Sequence, residues 1–123
     1  MITAIGNPVF DTIQTHSIRT DGRVLSGCST NFCLALSRLG VKTTLAGNIG
    51  PDFRERIERE MSEYGIDYTL FDAGESGGFH LRYYGGHGER ELTLLGDAGP
   101  ITEVPDSVRE SDFVVFVPIL SEV

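Results

Sequence analysis

Residues 26–52, SGCSTNFCLALSRLGVKTTLAGNIGPD, decide how the chain is read. Phe32, Ala35, Leu36 and Leu39 recur at i, i+3, i+4 and i+7, which predicts a helix over Thr30–Leu39 with one apolar stripe. Ser29 or Thr30 is its expected cap, and Gly40 supplies the position after its end. Val41–Ala46 is rich in β-branched residues and reads as a strand. Gly50-Pro51-Asp52 then opens a second helix, because proline and an acid are favoured in a first turn. Phe53, Ile57, Met61 and Tyr64 form its stripe, and Gly65 ends it.

The pattern extends in both directions. Ile2–Gly6 reads as a buried strand, and Thr12–Thr20 runs into Asp21-Gly22, a hairpin signal, with Arg23–Leu25 as the return. Ile66–Phe71 is a further strand. Gly78–Tyr84 and Glu91–Leu95 flank the turn Gly85-Gly86-His87-Gly88. Pro105–Glu110 suggests a short helical turn, and Phe113–Val117 is an apolar run suited to the inside of a parallel sheet. Strands alternating with helices imply α/β crossovers and a mostly parallel sheet. The two hairpins belong to a small antiparallel accessory sheet at one side.

Composition narrows the function. The 123 residues fit one domain and carry 18 acidic against 10 basic side chains, a net charge of −8. That balance argues against a nucleic-acid partner, since phosphate contacts need clustered Lys and Arg. Lys42 is the single lysine and no run reaches membrane-spanning length, so no membrane partner is expected. The start shows no basic segment followed by a long apolar one, and Cys28 and Cys33 make no disulfide framework, so a reducing cytoplasm is expected. His16, His80 and His87 lack metal-ligand spacing, and no metal site is expected.

Two places could carry chemistry. Asp11 follows the first strand, where open α/β sheets bind ligands, and a carboxylate there can accept hydrogen bonds from adjacent hydroxyls. Ser26-Gly27-Cys28-Ser29-Thr30-Asn31 runs into a helix N-terminus, where small residues let a ligand approach free N–H groups.

Gly27, Asn31, Cys33, Gly40 and Gly50 fall at the spacing of a known motif, with Gly6-Asn7, Asp11, Leu39-Gly40-Val41, Gly47–Asp52, Tyr64–Asp67 and Glu75–Gly78 in order around it. In these residues the whole chain resembles the N-terminal portion of a ribokinase-like (PfkB family) carbohydrate kinase. The resemblance implies a three-layer α/β fold, a mostly parallel sheet with helices and a small antiparallel β lid. It implies transfer of phosphate from ATP, with Mg²⁺, to a hydroxyl of a sugar or nucleoside by the intact enzyme. By position, Asp11 resembles the sugar-hydroxyl acceptor, and Gly27 and Asn31 resemble further sugar contacts. Phe79 and Leu81 lie on the lid and would cover the sugar's apolar face. A homodimer through the lid also follows as an expectation. Cys28 and Ile119 stand where ribose-using members carry a lysine and an acid, which points away from ribose itself.

The family's catalytic Gly-Ala-Gly-Asp is not in these residues, and Gly96-Asp97-Ala98-Gly99 reads as a loop. No catalytic residue and no bound ATP or Mg²⁺ is therefore expected on residues 1–123 alone. They are expected to be a substrate-binding and lid portion, inactive by itself, with poor solubility from an apolar sheet edge at Phe113–Val117. The alternative is a non-catalytic sugar- or nucleoside-binding module. A dinucleotide-binding domain is disfavoured because no Gly-x-Gly-x-x-Gly follows a strand.

Overall fold

A computed structural model describes all of residues 1–123. In chain order the elements are β1 (Ile2–Ile5), β2 (Val9–Gln14), β3 (Val24–Ser26), α1 (Cys28–Arg38), β4 (Thr43–Ile49), α2 (Arg54–Tyr64), β5 (Asp67–Asp72), β6 (Gly78–Tyr84), β7 (Glu89–Gly96) and β8 (Phe113–Phe116), with a 3-10 turn at Asp106–Glu110 before β8. They form two four-stranded sheets, ordered β5-β4-β1-β8 and β3-β2-β6-β7.

The first sheet is parallel throughout, with Ile2 opposite Thr43 on one side and Phe113 on the other. From β1 the chain steps outward through β4 to β5, then returns to add β8 on the opposite side of β1. The order therefore reverses between β1 and β8, and such a switch point leaves a crevice beyond the strands' carboxyl ends. The second sheet contains the two expected antiparallel hairpins, β2–β3 and β6–β7, joined by a parallel β2–β6 pair.

The core gathers Ala4, Leu45 and Ile49 from the sheet, Cys33 from α1, Ile57 and Met61 from α2, Ile66, and Phe10 from β2. Burial pushes the Cys33 thiol up to about 11, so it behaves as an apolar filler. Phe10 stacks on Phe53 with ring centroids 4.3 Å apart. Arg23 lies 4.7 Å over the outer face of this pair at Phe53, and Arg56 lies 5.1 Å from Phe10. This layered stack fastens the second sheet to α2; each aromatic or cation–π contact of this kind contributes roughly 1 kcal/mol.

Several local expectations are corrected. Helix α1 begins at Cys28 with Gly27 as its cap and no side-chain cap bond. Ser29 and Thr30 are instead buried, and their hydroxyls find no partner. The face of α1 toward the sheet is Ser29, Thr30 and Cys33, flanked by half-buried Phe32 and Leu36, while Ala35 is exposed and Leu39 is 77% exposed. Small side chains let the helix lie close to β1 and β4, which overrides the apolar stripe. In α2, Ile57 and Met61 are buried but Tyr64 is exposed. Pro51 and Asp52 precede α2 in a turn, and β4 runs on through Gly47-Asn48-Ile49. The first hairpin reverses at Thr15, whose hydroxyl accepts the N–H groups of Ser17 and Ile18, rather than at Asp21-Gly22. Strand β8 lies at the sheet edge, with Phe113 and Phe116 exposed.

Candidate functional site

Between the second sheet, the start of α1 and the segment after β8 lies a cavity of about 400 Å³. Asp11, Gly27, Asn31, Phe79 and Leu81 all line it. They come from β2, the turn before α1, the first turn of α1, and β6, so the fold brings together residues up to 70 positions apart. Ile119, in the segment after β8, closes the side nearest the switch point.

Asp11 is buried at 4% exposure. Its Oδ1 accepts the Phe79 N–H at 2.8 Å. Desolvation raises its carboxyl pKa above the usual carboxylate range, while the Phe79 N–H, the Ser26 hydroxyl and the Arg23 charge pull it back down. Arg23 does not reach the carboxylate as an ion-pair partner; its Nε donates to the Phe10 carbonyl at 2.7 Å and its Nη2 to the Gly77 carbonyl at 3.3 Å. The result is a partly desolvated carboxylate with one backbone donor, suited to accept ligand hydroxyls.

Gly27 sits at φ 100°, ψ 162°, a conformation essentially reserved for glycine. This kink turns β3 into α1 and points the helix N-terminus at the cavity, where Cys28 and Asn31 join the wall. The Gly27 carbonyl accepts the Asn31 N–H at 3.0 Å and starts the helical ladder. The N-terminal end of α1 thus supplies partial positive charge near Asp11.

The opposite wall is mostly apolar. Phe79, Leu81 and Tyr83 alternate along β6, Leu92 faces Leu81 across the β6–β7 pair, and Ile13 stands two residues beyond Asp11 on β2. Sequence reading missed Ile13, Tyr83, Arg90 and Leu92. Their signal was the period-two alternation that places Ile13 with Asp11 and Arg90 with Leu92 on one face. His80 points elsewhere and bonds the Thr12 hydroxyl at 2.6 Å. No group of three or more His, Cys, Asp or Glu converges in the chain. Gly96 ends β7, and Asp97–Gly99 form a loop, as expected.

A parallel sheet with a switch-point crevice, roofed by a second sheet and with one buried carboxylate in the cavity wall, has the geometry of a small-molecule site in an α/β protein. The chain belongs to the pfkB family of carbohydrate kinases, whose family model matches residues 1–120. It is similar to a pyrophosphate-dependent kinase in the ribokinase family, with a TM-score of 0.80 and 22% identity over 97% of this chain and 41% of that one. It is similar to a pyrophosphate-dependent myo-inositol-1 kinase converted into a myo-inositol-3 kinase by two substitutions to leucine, with a TM-score of 0.77 and 22% identity over 97% and 39% of the two chains. An uncharacterized sugar kinase from Pyrococcus horikoshii, also solved with ATP, is 25% identical over 94% of this chain and 44% of its own, with a TM-score of 0.78. The chain therefore spans about two-fifths of the length of these structures. No curated protein matches it. No helix is long and apolar enough to cross a membrane.

Proposed function

We propose that the intact protein phosphorylates a hydroxyl of a sugar, cyclitol or nucleoside with ATP and Mg²⁺, and that residues 1–123 supply its acceptor pocket and lid. The observation that carries this reading is the convergence of Asp11, Gly27, Asn31, Phe79 and Leu81 on one cavity at the switch point. Asp11 accepts acceptor hydroxyls, Asn31 and Gly27 hold the same polyol, and the apolar lid wall covers its less polar face. Covering the site favours transfer to the acceptor over transfer to water. The general base and the donor site belong to residues outside this stretch, so the 123 residues alone are expected to be inactive. The alternative is a binding module that keeps the same pocket without catalysis.

A coupled assay of the intact protein with ATP and Mg²⁺, against myo-inositol, ribose, fructose and adenosine, tests the proposal. Turnover of at least one acceptor supports it. Binding of these acceptors with no turnover in a protein that lacks a downstream Gly-Ala-Gly-Asp favours the module. A dimer through the lid is part of the same reading, since Leu94 and Leu95 of edge strand β7 are exposed outside the cavity; sedimentation checks it.

Leu81 and Leu92 bear on which hydroxyl reacts. They are eleven positions apart, the spacing of the two leucine substitutions that convert the related inositol kinase, and they face each other in the cavity. An apolar pair offers hydroxyls no partner, so a ring turns its less polar edge toward it. Leu81→Asn with Leu92→Ser is expected to change the position phosphorylated on a cyclitol, read by NMR of the product. An unchanged product position would count against this role.

A further inference from the structure

The structure assigns Asp52, at the turn before α2, as a positioning residue for the acceptor carboxylate; this rests on the kinase reading above. Asp52 lies outside the cavity, and its expected role from sequence was only to favour a helix start. Its Oδ1 accepts the Phe53 N–H at 3.1 Å at the start of α2, and the same side chain also reaches Ser76, the last residue but one before lid strand β6. Oδ1 accepts the Ser76 hydroxyl at 2.6 Å and the Ser76 N–H at 3.1 Å, and Oδ2 lies 3.3 Å from the same N–H. The Ser76 hydroxyl in turn accepts the Gly50 N–H at 3.0 Å. Ser76 is 1% exposed and Asp52 is exposed, so the bonds to Asp52 are part-buried while the Gly50 bond is fully buried.

The next residues carry the effect into the site. The Gly77 carbonyl accepts the Phe10 N–H at 2.9 Å and the Arg23 guanidinium at 3.3 Å. Two residues further on, the Phe79 N–H holds Asp11 Oδ1 at 2.8 Å. The stretch Ser76–Phe79 is thus bolted to the first sheet's layer at one end and orients the Asp11 carboxylate at the other. The backbone packs closely on both sides of this stretch: a Cβ on Gly50 would collide with the Glu75 backbone, and one on Gly78 with the Phe10 carbonyl. With Asp52 removed, Ser76 keeps only its bond to the Gly50 N–H, the start of β6 loosens, and the Phe79 N–H is held less firmly on Asp11.

The test compares Asp52→Ala, Asp52→Asn and Ser76→Ala in the intact protein. Two readouts are used: steady-state kinetics for acceptor and donor, and hydrogen exchange of the Phe79 amide without ligand. Asp52→Ala is expected to raise the acceptor KM about tenfold, with donor KM and kcat within about twofold. Phe79 amide exchange should quicken by about tenfold or more. Asp52→Asn keeps one acceptor oxygen for Ser76 and should recover most of both effects, and Ser76→Ala should resemble Asp52→Ala. An unchanged Phe79 exchange rate in Asp52→Ala would overturn the proposal, as would equal effects on both substrates together with general destabilisation. If no acceptor is turned over by the unsubstituted protein, the kinase reading fails, and the ligand-free Phe79 measurement still decides whether Asp52 holds β6.

Discussion

Asp11→Asn is expected to lower kcat/KM for the acceptor by about 10²–10³-fold without lowering the melting temperature. Hydrogen bonds from ligand hydroxyls to a charged carboxylate contribute about 1.5–3 kcal/mol each, so losing the charge across two of them gives that range. Stability should move the other way. Desolvation raises the folded-state pKa of Asp11 above its unfolded value, so the folded protein binds the proton more tightly. Folding stability from this group is therefore greatest at low pH and falls as pH rises through the window between the two values. At neutral pH the ionised carboxylate is a cost to the fold, and the neutral amide removes it. The same shift predicts that acceptor affinity falls as pH drops through the raised Asp11 value, above the usual carboxylate range. Kinetics, thermal melts and a pH profile of acceptor KM check these outcomes together. A large loss of stability with unchanged acceptor KM would mean that Asp11 serves the fold alone.

Gly27→Ala is the second large effect, and it acts on fold and site at once. The φ of 100° with ψ of 162° is open to glycine and strained for alanine, at about 1–3 kcal/mol. A Cβ there would also lie 3.0 Å from the Val9 side chain and 3.4 Å from its backbone nitrogen. A stability loss of about 3 kcal/mol, read as a lower melting temperature, is expected. Relief of the strain would turn the start of α1, moving Asn31 away from Asp11, so acceptor KM should rise in the fraction that stays folded. Gly40→Ala is the comparison: its φ is +80°, no atom lies within 4 Å of a Cβ there, and it is remote from the cavity. It should lose stability without a change in acceptor KM.

Much of this was legible in the sequence because local chemistry and fold agree. The order of strands and helices followed from periodicity and glycine ends, and the chain's run from Asp11 through Asn31 to Leu81 carried the residues that meet in the cavity. What was not legible depends on distant partners. The stripe of Phe32, Ala35, Leu36 and Leu39 looked like the buried face of α1, yet Ser29, Thr30 and Cys33 face the sheet because close helix–sheet approach selects small side chains. Asp52 looked like a helix-start acid, and only the fold brings Ser76 to it. The stack of Arg23, Phe53, Phe10 and Arg56 joins residues from β2, the loop before β3 and α2, with no signal in any one segment. Leu92 and Ile13 lay within reach of the alternation rule, but which face of each hairpin turns toward Asp11 depends on the parallel β2–β6 pairing, a long-range choice.

The cavity lined by β2, β6, β7 and the start of α1 is proposed as the acceptor site. A crystal structure of the intact protein with the acceptor it turns over fastest tests this most directly. Acceptor hydroxyls are expected about 2.6–3.2 Å from an Asp11 carboxylate oxygen, with Asn31 beside them and Leu81 and Leu92 over the ring. An acceptor bound elsewhere, with Asp11 making no contact to it, would contradict the account.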